Sequence, residues 1–131
     1  MNNHDTQQLV QDVQQTVQEN CRLSESWYDM NEVPQAEVLN FQKLLSKSVP
    51  QLKKLGNLIA PNLANQGDSH WPIWQQAHNI IQELETSRMA EIELINASQQ
   101  PFKEWTRALS IKETAALKQI TQLQSLLHEI Q

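Results

Sequence analysis

Glycine is almost absent from this chain: the 131 residues contain two, Gly56 and Gly67. Tight hairpins and phosphate-binding loops draw on the positive-φ conformations that glycine supplies. So small a number argues against a β-sandwich, a dinucleotide-binding domain or a P-loop protein. Cysteine is rarer still. Cys21 stands alone and cannot form an internal disulfide, so nothing in its use points to an oxidising compartment. No apolar run approaches the ~20 residues needed to span a bilayer. The first residues, Met1-Asn2-Asn3-His4-Asp5, carry no basic stretch or apolar core of a secretory signal, which gives the expectation of a cytoplasmic protein. Positive charge is also scarce, with 10 Lys and Arg against 15 Asp and Glu and a net charge of −5. General nucleic-acid binding, which rests on clustered cations, is therefore not expected.

What is present favours helix. Apolar residues make up 39% and charged residues 19%, enough for a core and too apolar for a disordered chain. A single domain of this length buries roughly two thirds of the surface of its unfolded chain. Gln7-Gln8, Gln14-Gln15, Gln75-Gln76 and Gln99-Gln100 supply a neutral surface that tolerates helix. Apolar residues recur at steps of three and four in four segments.

The first segment, 5–30, has a narrow stripe of Val10, Val13, Val17, Cys21 and Ser24 and must dock into a groove to be stable. The second, 34–60, opens at Pro34 and carries Val38, Phe41, Leu45, Val49, Leu52, Leu55 and Ile59, with a kink or short break expected at Pro50. Gly56 to Ser69 reads as the main connection. The third, 70–99, carries Ile73, Ala77, Ile80, Ile81, Leu84, Ile92 and Ile95. The fourth, 101–130, shows a heptad seam of Phe102, Trp105, Leu109, Lys112, Ala116, Gln119, Leu123, Leu126 and Ile130, all apolar but Lys112 and Gln119. The expected fold is all-α: one domain, an antiparallel bundle of about four long helices with coiled-coil-like packing.

Residues with chemical potential are dispersed. His70 and His78 are eight apart, not the four that places ligands on successive turns, and no Glu-x-x-His motif accompanies them. No metal site and no cofactor are expected. Cys21, on the apolar stripe, reads as a small buried thiol rather than a nucleophile. The pairs Glu83/Glu85 and Glu91/Glu93 diverge around their helix and read as a solvated face. No nucleophile elbow, Walker motif or dinucleotide fingerprint is present, and an enzyme is not expected.

Three features bear on partners. Arg88 stands on the third stripe, between Leu84 and Ile92, where an apolar residue belongs. Its stem either snorkels over the core edge with Glu85 or Glu91 nearby, or it anchors a partner inside a groove. Trp71, Trp74 and Trp105 are large rings that serve either as core or as partner anchors. Trp71, Trp74, Arg88 and Trp105 are thus the candidate partner-binding residues. Lys43, Lys47, Lys53 and Lys54 form a basic patch, either a solvated face or an attraction for an acidic partner.

The length, Trp27-Tyr28-Asp29 after a Gln-rich first helix, the Leu-rich stretch from Val38 to Leu55, and Ile80-Ile81-Gln82-Glu83-Leu84-Glu85-Thr86-Ser87-Arg88-Met89 together resemble flagellar export chaperones of the FliT and FlgN type. That resemblance implies a small cytosolic helical protein that holds flagellar subunits for type III export, with a C-terminal helix able to cover or expose a groove. The resulting expectation is a cytoplasmic adaptor or chaperone that binds another protein, in the form of an amphipathic helix, in an apolar groove. Neither nucleic acid nor membrane is an expected partner. One alternative is a histidine phosphotransfer-like signalling module using His78, although Ile81 and Gln82 stand where that family has Lys and Gly. The other is a self-associating bundle, a homodimer paired through the C-terminal seam, or an inhibitor protein.

Overall fold

The structure, a computed structural model, describes residues 3–97 and 102–130, with side chains over 4–96 and 106–130. It consists of α1 (Asn3–Ser26), α2 (Gln35–Ile59), a 3-10 turn (Ala60–Ala64), α3 (Trp71–Ala97) and α4 (Phe102–Glu129). The helices have 24, 25, 27 and 28 residues, so each is roughly 36–42 Å long at the α-helical rise. Lengths so closely matched suit side-by-side packing. Each helix packs on its sequence neighbours and α1 closes the ring on α4, while the diagonal pairs make no backbone contact among the described residues. Contacts of Gln14 with Gln124 (2.6 Å), Gln42 with Asn96 (2.9 Å) and Glu83 with Gln119 (3.0 Å) run in opposite directions along adjacent helices. This is the all-α, antiparallel four-helix bundle that the periodicity predicts.

Local chemistry sets the helix ends. α1 stops at Ser26, whose hydroxyl donates to the Leu23 carbonyl (2.7 Å), and the chain turns through Tyr28 N–H to Glu25 O and Met30 N–H to Trp27 O. Pro34 takes the N-cap position of α2, and its carbonyl receives the N–H groups of Glu37 and Val38. Before α3, the Asp68 carboxylate accepts the His70 N–H (2.9 Å), and the Trp71 indole N–H donates to the Leu63 carbonyl (3.1 Å). These side-chain bonds to backbone fix the only long connection among the described residues.

α2 runs through Pro50 to Ile59, so the apolar stripe on either side stays on one face. Two expectations need correction. Gly56 is consequently inside α2 and not part of the connection, which begins at Ala60. The seam of α4 is offset at alternate positions. Leu109, Ala116 and Leu123 are buried as expected, but Glu113, Ile120 and Leu127 are the buried partners between them, in place of Lys112, Gln119 and Leu126. Both frames preserve a repeat of seven, and of the three exchanged positions only Ile120 for Gln119 replaces a polar residue with an apolar one.

A Cβ on Gly56 would stand 3.6 Å from Ile81 Cγ2, an ordinary contact, and its φ is not positive. Gly56→Ala is therefore expected to raise unfolding free energy by about 0.5–1 kcal/mol through helix propensity alone. A urea titration checks this, and a lowered midpoint would show that α2 and α3 cannot accept the methyl group.

Candidate functional site

The interior is two apolar cores separated by a polar layer. One core joins Val10, Val13 and Val17 of α1 to Leu52, Leu55 and Ile59 of α2, to residues from Trp74 to Leu84 of α3, and to Ala116, Ile120, Leu123 and Leu127 of α4. The other, smaller core consists of Leu23, Trp27, Phe41, Leu45 and Leu109. Its Trp27 and Phe41 rings meet in a tilted contact, with centroids 5.2 Å apart. Between the cores, each helix places a polar residue on its buried stripe: Asn20, Ser48, Arg88 with Glu91, and Glu113.

Arg88 is 0% exposed, and its guanidinium touches all three other helices. Nε–H donates to Ser48 Oγ of α2 (2.6 Å), Nη1 to both carboxylate oxygens of Glu113 on α4 (3.2 Å each), and Nη2 to Asn20 Oδ1 of α1 (2.5 Å). The neutral partners are themselves oriented. The Ser48 hydroxyl donates to the Leu45 carbonyl (2.7 Å), leaving a lone pair for the arginine. The Asn20 amide donates to the Phe41 carbonyl (3.2 Å), which turns its oxygen inward. The expected snorkelling of Arg88 is thus corrected. The layer lies mid-bundle with partners on every side, so the stem has no core edge to cross.

Glu91 completes the layer. Its carboxyl is 3.8 Å from Arg88 Nη1, too far for a hydrogen bond, and neither oxygen has a hydrogen-bond partner. Two buried carboxyls thus face one guanidinium. Burial first, and then the negative charge of Glu113, push the Glu91 carboxyl up to about 9. The shift favours the neutral form of Glu91, and Arg88 forms its hydrogen-bonded ion pair with Glu113. Cys21 lies beside the layer on α1. Burial, and then the charge of Glu25, raise its thiol above the usual range, and it donates weakly to Glu25 (3.6 Å). It stays protonated, and among the described residues no group of three metal-binding side chains forms. The chemistry available to the layer is to hold a proton and to hold four helices.

The sequence-derived candidates do not converge. Arg88 is at the centre, whereas Trp74 is buried in the larger core and Trp71 is half-buried beside the 3-10 turn. Trp105 lies outside the residues whose side chains are described. His78 is half-buried in a shallow depression with Lys53, Gly56 and Glu85, and Lys53 lies 3.8 Å from Glu85. Glu91, expected with Glu93 on a solvated face, is instead buried beside Arg88, and Asn20, Ser48 and Glu113 escape a reading of each helix alone. Their signal is a polar break in the stripe of every helix, and the breaks coincide once the helices are placed antiparallel.

Removing the arginine leaves the Glu113 carboxylate buried without its counter-ion, so Arg88→Met is expected to destabilise the fold by about 3–5 kcal/mol. Arg88→Met combined with Glu91→Leu and Glu113→Leu removes every buried charge and is expected to recover most of that loss. Denaturant titration of both variants checks the contrast. Equal stabilities would mean that the ion pair contributes nothing. No family model, curated protein or solved structure matches the chain.

Proposed function

We propose that this chain is a cytoplasmic helical adaptor or chaperone, a binding protein rather than an enzyme, that takes up an amphipathic helical segment of another protein. The supporting observation is the asymmetry of the two cores. Among the described residues, the larger core has fifteen buried apolar side chains and five partly exposed ones around it, whereas the smaller has five buried and seven partly exposed, among them Met30, Val33, Val38, Ile92 and Ile95. Leu39, on the outer side of the same end of α2, is 50% exposed. Among the described residues, side chains of α2, α3 and the α1–α2 turn thus present a partly exposed apolar surface at one end, of the kind that an amphipathic helix covers with residues at steps of three and four.

The resemblance of 80–89 and 27–29 to flagellar export chaperones adds a setting, in which the bound segment belongs to a subunit destined for type III export.

The test is affinity capture from the native cell with chemical cross-linking, comparing the wild type with Leu39→Glu. A single partner, cross-linked through the smaller-core end and captured at least about tenfold less by the variant, is the expected result. Circular dichroism should be unchanged, since Leu39 is outside both cores. A wild-type chain that captures no protein, or equal capture by the variant, would overturn the reading.

A further inference from the structure

The polar layer contains more carboxyl groups than it can ionise. Arg88, Glu91 and Glu113 are each 0% exposed, and both carboxyls are directed at the same nitrogen, Arg88 Nη1, at 3.2 and 3.8 Å. Glu113 takes the guanidinium with both oxygens, and Arg88 spends its other N–H groups on Ser48 and Asn20. Glu91 is left with two oxygens, no donor and no water-facing path. A second buried negative charge at that place would be uncompensated, whereas a proton on Glu91 removes the charge and creates a donor toward Glu113.

We propose that Glu91 and Glu113 form a buried proton-binding site that latches the bundle: the folded chain holds one proton between these carboxyls, and opening at the polar layer releases it to water.

The neighbouring groups support one bound proton. On α4, Glu113 opposes ionisation of Glu91, and Lys112, half-buried on the same helix, favours it weakly; on α3, Arg88 favours it. The facing residue of α2 is the neutral Ser48, and α1 presents Asn20 and the protonated thiol of Cys21. Burial and Glu113 outweigh the two cations, which is why the carboxyl stands near 9 instead of its ordinary 4.5. In the unfolded chain Glu91 ionises near ~4.3. The folded state therefore binds one more proton than the unfolded state between those limits. The latch is fully engaged below the lower limit and weakens as pH rises towards 9. A one-proton difference lowers the folding equilibrium constant by about tenfold per pH unit inside that window.

Glu91→Gln is the direct test, because an amide copies the neutral acid and cannot lose a proton. Urea midpoints of the full chain are measured from pH 5 to pH 9 for the wild type, Glu91→Gln and the exposed control Glu93→Gln. The expected result is a wild-type midpoint that falls with pH, a control that follows it, and a Glu91→Gln midpoint that is nearly flat and exceeds the wild type at pH 8. A Glu91→Gln curve parallel to the wild type, or lying below it at pH 8, would overturn the proposal. The infrared carbonyl band of a protonated carboxylic acid gives an independent reading on the unmodified chain, should the variant not fold. Its presence at pH 7 and loss towards pH 10 support the latch, and its absence at pH 7 refutes it.

Discussion

A single buried guanidinium constrains this bundle more than any apolar contact does. Apolar stripes with a repeat of seven can slide past one another by a full repeat and still bury Leu, Ile and Val. Arg88 cannot be satisfied in a slipped arrangement, because its donors need Asn20, Ser48 and Glu113 from three different helices at one level. Taking the charge out of water costs free energy that ion pairing only partly offsets. What the layer contributes is a single register for four helices that are otherwise uniform in length and spacing.

The layer also explains why the halves of the molecule differ. On one side, fifteen residues form a core enclosed by every helix. On the other, five buried side chains among the described residues are joined by the Trp27–Phe41 contact and by the bond from the Trp27 indole to Glu37 (3.3 Å). Apolar burial contributes roughly in proportion to area, so the smaller end is the less stable half. An element that must rearrange to admit a partner is drawn from such a half. The closed end supplies rigidity, and the polar layer separates the two.

Much of this could be read from the sequence, and what could not has a physical cause. The stripe of α1 appears where the spacing puts it, with Val10, Val13, Val17, Cys21 and Ser24 all buried, and that of α2 does so except that Ser48 is buried in place of Val49. The scarcity of glycine correctly points to helix, yet Gly56 is helical because its neighbours Leu55 and Ile59 hold the stripe in place. In α4, Lys112 and Glu113 are both charged, so composition gives no reason to bury one and not the other. Only a partner on α3 decides it. Arg88 stands out in the sequence for the same reason that its role does not: a charge on an apolar stripe is visible locally, whereas its ligands come from 25, 40 and 68 residues away.

The docking of α1 shows how these constraints combine. Its stripe of valines is narrow, and valine adds less buried area than leucine, so apolar packing alone holds it weakly. Asn20 compensates by bonding both ways, accepting from Arg88 and donating to the Phe41 carbonyl. A loss of the layer would therefore remove the bonds by which Asn20 ties α1 to α2 and α3, leaving α1 held by its valines and by Leu23 and Trp27 of the smaller core. The helix that carries the thinnest stripe is the one most dependent on the buried charge, and so the ionisation state of the layer sets how firmly the bundle is closed.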